Sequence, residues 1–187
     1  MQTNTSAGWM LRLSSLIDSG IERISKIVCW GYLLLVLIII LQVVLRKGFA
    51  SGLIALEELQ WHLFAVGFLF GLSYAQIKNN HIRVDLLHHH FSERKKAVVE
   101  ILGILLLAFP FLATLLWHSI PFAYDAWRID ESSSSPSGLP MRWLIKSAIP
   151  ASMMLLILAM FSSLLKKLDV LVSSGREGGK GGVQHGR

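Results

Sequence analysis

Three groups of residues in this 187-residue chain are of types that bind metals, hold cofactors or pair charges. The first is the stretch KNNHIRVDLLHHHFSERKK at residues 78–96, which holds His81, Arg83, Asp85, His88, His89 and His90. Imidazole is a common metal ligand. Successive residues on a helix point about 100° apart, however, so at most two of the three adjacent histidines converge, and only Asp85 and His89 have the i, i+4 relation of a ligand pair. Cys29 is the only cysteine, so no intramolecular disulfide is possible and no thiolate is near. No second acidic cluster completes a site. The stretch reads as a solvated loop, with no metal and no cofactor expected.

The second group is His62 and His118, placed near the outer ends of neighbouring helices, where two axial haem ligands could face each other. One pair without a charged pocket for propionates is a sparse signature, so a haem-bearing membrane redox subunit stands as an alternative reading. The third is Arg46 with Glu57 and Glu58 across a short loop. Opposite charges there predict an ion pair from Arg46 to Glu57 or Glu58, which positions helices and does no chemistry. Exposed pairs of this kind contribute only about 0–1 kcal/mol.

The elements that carry these residues follow from composition. Hydrophobic residues make up 53% of the chain and charged residues 16%, against about 25% charged in a soluble domain. Four apolar runs, at 27–45, 59–77, 97–117 and 147–165, are each long enough to cross a hydrocarbon core of about 30 Å. The remaining segments are too short to build a core of their own. A soluble enzyme, a secreted disulfide scaffold and a nucleic-acid-binding domain are excluded together. The first run exceeds the 7–15 residues of a signal-peptide core and is expected to be retained as a span.

Of the 18 Lys and Arg residues, thirteen lie in the N-terminal segment, the second loop and the tail, and five lie on the opposite side. Positive charge is retained in the cytoplasm. The expected fold class is therefore an all-α integral membrane protein with four transmembrane helices, an N-terminal amphipathic interfacial helix, and both termini cytoplasmic. Residues 1–26 form the interfacial helix, whose Trp9, Leu13, Leu16, Ile17, Ile21 and Ile24 recur at helical spacing and lie on the inner leaflet or pack on the bundle. Residues 27–165 form the membrane domain. Residues 166–187 form a basic tail, glycine-rich and without apolar periodicity from Ser173, that is expected to be disordered.

Within the spans, Gly67, Gly71 and Ala75 repeat every four residues and predict a face where another helix approaches closely. Pro110 and Pro150 are expected to kink the third and fourth helices. The interiors carry no carboxylate or lysine, so a coupling ion or an anionic substrate has no visible midplane site. A small channel or transporter working as a homo-oligomer stands as a further alternative, but the composition favours support of another membrane subunit.

The order of motifs resembles the small membrane subunit of TRAP transporters, the DctQ-like family. The resemblance rests on Arg46 closing the first helix, the Glu57–Glu58 pair, FLFGLSYA at residues 68–75, HIRVD at 81–85, Glu131 with Ser132, Leu139–Pro140, Lys146 and Ile149–Pro150. It implies a bacterial inner-membrane subunit, not an enzyme, that scaffolds a large transport subunit and helps to dock a periplasmic solute-binding protein. The implied process is sodium-coupled uptake of an organic acid. By position, Arg46, Glu57 and Glu58 would organise the outer interface, and Gly67, Gly71 and Ala75 would allow close packing. His81, Arg83 and Asp85 would shape the cytoplasmic turn, and Glu131 would lie where the periplasmic partner can touch. The implied partners are the large subunit, the binding protein and membrane lipid, with no nucleic acid.

Overall fold

The computed structural model describes residues 5–78 and 93–180, with side chains from 8 to 78 and from 95 to 172. Helix α1 (Thr5–Gly48) runs for 44 residues without a break, about 66 Å at a rise of about 1.5 Å per residue. The N-terminal amphipathic segment and the first apolar run are thus one rod rather than two elements. No proline interrupts residues 5–48, and each further residue adds a hydrogen bond at little entropic cost once the helix has started. Helix α2 (Ile54–Ile77) returns antiparallel to it. The 49–53 connection is tight, with Ala50 at a φ of 47° and Ser51 N–H donating to the Leu45 carbonyl at 3.1 Å.

Helix α3 (Glu93–Gly103) passes through a π-helical turn (Ile104–Ala108) into α4 (Phe109–Arg128). The π turn lies directly before Pro110 and absorbs its effect, because a proline has no N–H to bond four residues back and its ring crowds that carbonyl. The helix extends eleven residues past the expected boundary at Trp117, running on through Pro121. Ser119 and Ala126, two turns apart, bury themselves on that extension at 7% and 2% exposure, so packing selects the helix where the apolar run has already ended.

Helix α5 (Arg142–Lys180) is the central element and packs against all the others. It continues helically through Pro150 and on to Lys180, past Ser173, where composition predicts a structureless tail. Among the described residues, two clusters form the core: Ile21, Ile77 and Ala159 towards one end, and Leu112, Met153 and Leu156 towards the other. Serines also occupy the helix-packed interior. Ser73, Ser152 and Ser162 are fully buried, and Ser152 returns its hydroxyl to the Ile149 carbonyl at 2.8 Å, which satisfies a polar group without water.

Among the described residues, three helices are long and apolar enough to cross a membrane: Gly8–Gly48, Lys95–Arg128 and Arg142–Val172. Helix α2 has sufficient length at 24 residues, but Glu57, Glu58, Gln60 and His62 make its entry polar. Large apolar side chains of α1 such as Leu33, Val36, Leu37 and Ile40 are about half exposed, a surface that only lipid or a partner subunit can cover.

Candidate subunit-interface site

Of the residues singled out by type and spacing, Arg46, Glu57, Glu58 and Glu131 collect at the end of the bundle where α1 meets α2 and α4 meets α5. Arg46, in the last turn of α1, reaches across the 49–53 connection to Glu57 in the first turn of α2, with 2.7 Å between Nη2 and Oε1. Of the two carboxylates that could pair with it, Glu57 is the one used. Both side chains remain largely exposed, so the pair is a weak tie. Gln42 adds a second tie, donating through Nε2 to the Leu53 carbonyl at 3.3 Å.

Glu58 points the other way, one helical step round α2, and holds the connection between α4 and α5. Its Oε1 accepts from the Ser133 hydroxyl, and its Oε2 accepts from the Leu139 N–H at 2.6 Å. The loop closes over the carboxylate so tightly that a Cβ on Gly138 would stand 2.8 Å from Glu58 Oε2 and 2.3 Å from Ser133 Cβ. Those two hydrogen bonds, from Ser133 first and Leu139 next, lower the pKa of Glu58 below its ordinary 4.5, because both stabilise the ionised form.

The loop ends are equally defined. Helix α4 stops in a Schellman arrangement, with Glu131 N–H donating to Ala126 O at 3.0 Å and Asp130 N–H to Trp127 O at 3.2 Å. Asp130 supplies the left-handed residue that this motif requires, at a φ of 47°. Glu131 then pairs with Lys146 on α5, and its carbonyl accepts from the Arg142 N–H at 2.9 Å. Lys146 Nζ also lies 4.2 Å from the ring centroid of Phe122, close enough for a cation–π contribution. Glu131, expected where a periplasmic partner can touch, thus also has a partner within the chain.

The small-residue stripe divides. A Cβ on Gly67 would lie 2.4 Å from Tyr32 Cζ, so glycine lets the Tyr32 ring of α1 lie across α2, whereas a Cβ on Gly71 would meet nothing within 4 Å. Close packing within the chain thus uses Gly67 and leaves Gly71 open, with Ala75 only half-buried. His81, Arg83, Asp85 and the HHH run lie outside the described residues. His118 donates its Nδ1–H to the Thr114 carbonyl at 2.9 Å in its own helix, and among the described residues no three metal-binding side chains come together.

A second charged layer lies at the opposite end, built from residues far apart in the sequence. Asp18 accepts from Ser162 at 2.6 Å and pairs with Lys166; Glu22 pairs with Lys78 at 3.2 Å and Lys26 at 3.3 Å; and Lys167 pairs with Glu100 at 2.5 Å. The N-terminal half of α1 is thereby bound to α5 on one face. Ser14 and Ile21 are buried there, while Trp9 and Leu16 remain exposed. Asp18 and Glu22, spaced i, i+4, mark the charged part of this face, and Ile17 and Ile21 of the apolar stripe pack beside it.

A family model for the DctQ component of the tripartite ATP-independent periplasmic transporters matches residues 35–169. The chain belongs to the DctQ family. As a DctQ chain it is a small membrane subunit of a TRAP transporter, a multi-pass component that works with the other parts of such a system and not a member of an enzyme family. The matched region holds the whole Arg46–Glu57, Glu58–Ser133 and Glu131–Lys146 cluster, while Asp18 and Glu22 precede it. No curated protein matches the sequence.

Proposed function

We propose that this DctQ chain spans the bilayer four times, with both termini in the cytoplasm of the inner membrane. In that position it scaffolds the large subunit of a TRAP system for sodium-coupled uptake of an organic acid. The supporting observation is the spacing of the two charged layers. Glu58 to Lys78 on α2 and Lys146 to Lys166 on α5 each cover about 30 Å at a rise of about 1.5 Å per residue, which is one hydrocarbon thickness. Residues 59–77 and 147–165, between the layers, contain no Asp, Glu, Lys or Arg. Helix α2 thus has the same depth markers as its neighbour and serves as the fourth span despite its polar entry.

Positive charge is retained in the cytoplasm, so the lysines of the Asp18–Lys166 layer support a cytoplasmic position for that end, and on this reading the Glu58-anchored loop faces the periplasm. Residues 27–45, 101–124 and 147–165 are likewise free of formal charge, so a sodium or carboxylate site has no charged group on which to form within the membrane. The chain supports movement in another subunit. The outer loop, held by Glu58 and the Glu131–Lys146 pair, offers a fixed surface for the solute-binding protein.

Uptake measurements test this assignment. In cells lacking the whole system, this chain with its large subunit and binding protein restores sodium-dependent uptake of the organic acid, and omission of this chain removes it. Uptake into liposomes by this chain alone would overturn the accessory role in favour of an autonomous transporter.

A further inference from the structure

Between α2, α4 and α5, at the end carrying Glu58, lies an open groove of about 770 Å³. Its walls are almost wholly apolar, with Phe64, Phe68, Leu69, Leu115 and Met153 among them, and Glu58, His62 and Arg142 are its polar lining residues. The floor belongs to the second core cluster, where Leu69 packs on Leu112 and Met153, so the groove is part of the packed fold. We propose that this groove binds one phospholipid of the outer leaflet, with the phosphate on the Arg142 guanidinium and an acyl chain laid along Phe64, Phe68, Leu69 and Met153.

Charge and depth both select this occupant. The Arg142 side chain makes no hydrogen bond or ion pair among the described residues, while its neighbour Glu58 has both oxygens occupied by Ser133 and Leu139. A guanidinium at a membrane interface is best satisfied by two oxygens of a phosphate, for which its planar fork is preorganised. The groove descends along α5 from Arg142 to Met153, about 16 Å at a rise of about 1.5 Å per residue, which is one leaflet of a core of about 30 Å. A lipid needs that depth. A helix of a partner subunit would call for a trough across the full thickness. The assignment to the outer leaflet rests on the orientation proposed above, whereas the binding itself does not.

Native mass spectrometry of the purified full chain, titrated with phosphatidylglycerol and separately with dioleoylglycerol, tests the proposal. One phosphatidylglycerol is retained and the phosphate-free dioleoylglycerol is not. Arg142→Gln lowers phosphatidylglycerol retention about ten-fold, the effect expected for loss of one charge-assisted hydrogen bond. Ala65→Trp, which fills the groove about two turns along α2 from Glu58, lowers it comparably, and circular dichroism reports whether either variant remains folded. Equal retention by wild type and a folded Arg142→Gln, or equal binding of the two lipids, would overturn the phosphate contact. Loss of the large subunit on Ala65→Trp with lipid retention unchanged would assign the groove to a protein partner. Because lipid is counted on the isolated chain, failure here is separable from failure of the transporter assignment.

Discussion

Glu58 and Ser133 are 75 residues apart and share a hydrogen bond that fastens the α4–α5 loop to the start of α2. The same carboxylate also receives the Leu139 N–H, so one side chain fixes both limbs of the loop. In the proposed orientation this makes the periplasmic face a preformed surface.

Acid should release that loop. Because the Glu58 pKa is lowered from 4.5 by its hydrogen bonds to Ser133 and Leu139, its contribution to stability is fully present above 4.5 and is lost as pH falls through the lower folded value. A nitroxide on Ser134→Cys should gain mobility in that acid range in the wild-type background. Glu58→Gln should make the label mobile at neutral pH and remove the acid transition. A label whose mobility ignores both changes would show that Glu58 does not hold the loop.

Gly67 and Gly71 should respond differently to the same substitution. Gly67→Leu forces the Tyr32 ring away and costs about 1–3 kcal/mol, the usual range for overpacking, and Tyr32→Ala in the same chain recovers most of it. Gly71→Ala, with open space around it, stays within about 0.5 kcal/mol. Unfolding of the purified chain in detergent distinguishes the two, and equal sensitivity at both sites would contradict the packing.

Glu131 and Lys146, both less than a third exposed, should show coupling in a double-mutant cycle. Either single change, Glu131→Gln or Lys146→Met, leaves the partner charge poorly compensated near the membrane surface, and the coupling energy is expected at about 0.5–3 kcal/mol. Arg46 and Glu57 are the internal control, since that exposed pair should couple by at most about 1 kcal/mol and weaken with salt. A Glu131–Lys146 coupling no larger than that of Arg46–Glu57 would be inconsistent with its burial.

Asp18→Ala should loosen the N-terminal arm from α5 without unfolding the bundle, because Ser162 and Lys166 lose their common acceptor. Limited proteolysis should then cut near Arg12 faster while the midpoint of global unfolding changes little. Unchanged cleavage would mean that Ile21 and its apolar neighbours hold the arm by themselves.

The helical membrane fold was readable because apolar runs of span length leave little else to form. Element ends were less readable: α4 reaches Arg128 through Ser119 and Ala126, whose burial depends on α5 and not on local hydropathy. The Arg46–Glu57 pair could be anticipated because a short connection brings opposite charges together. Ser133 could not be singled out within its serine run, since its partner lies 75 residues away. Asp18 likewise looks like a solvated charge until Ser162 and Lys166 are placed beside it. The Gly67 face was visible as a spacing, but only the position of Tyr32 separates it from Gly71.

The most direct test of the scaffold assignment is mild-detergent purification of the tagged chain from its native membranes, with mass spectrometry of what accompanies it. The account predicts a large multi-span transport subunit at equal stoichiometry. Recovery of this chain alone across several detergents would contradict it.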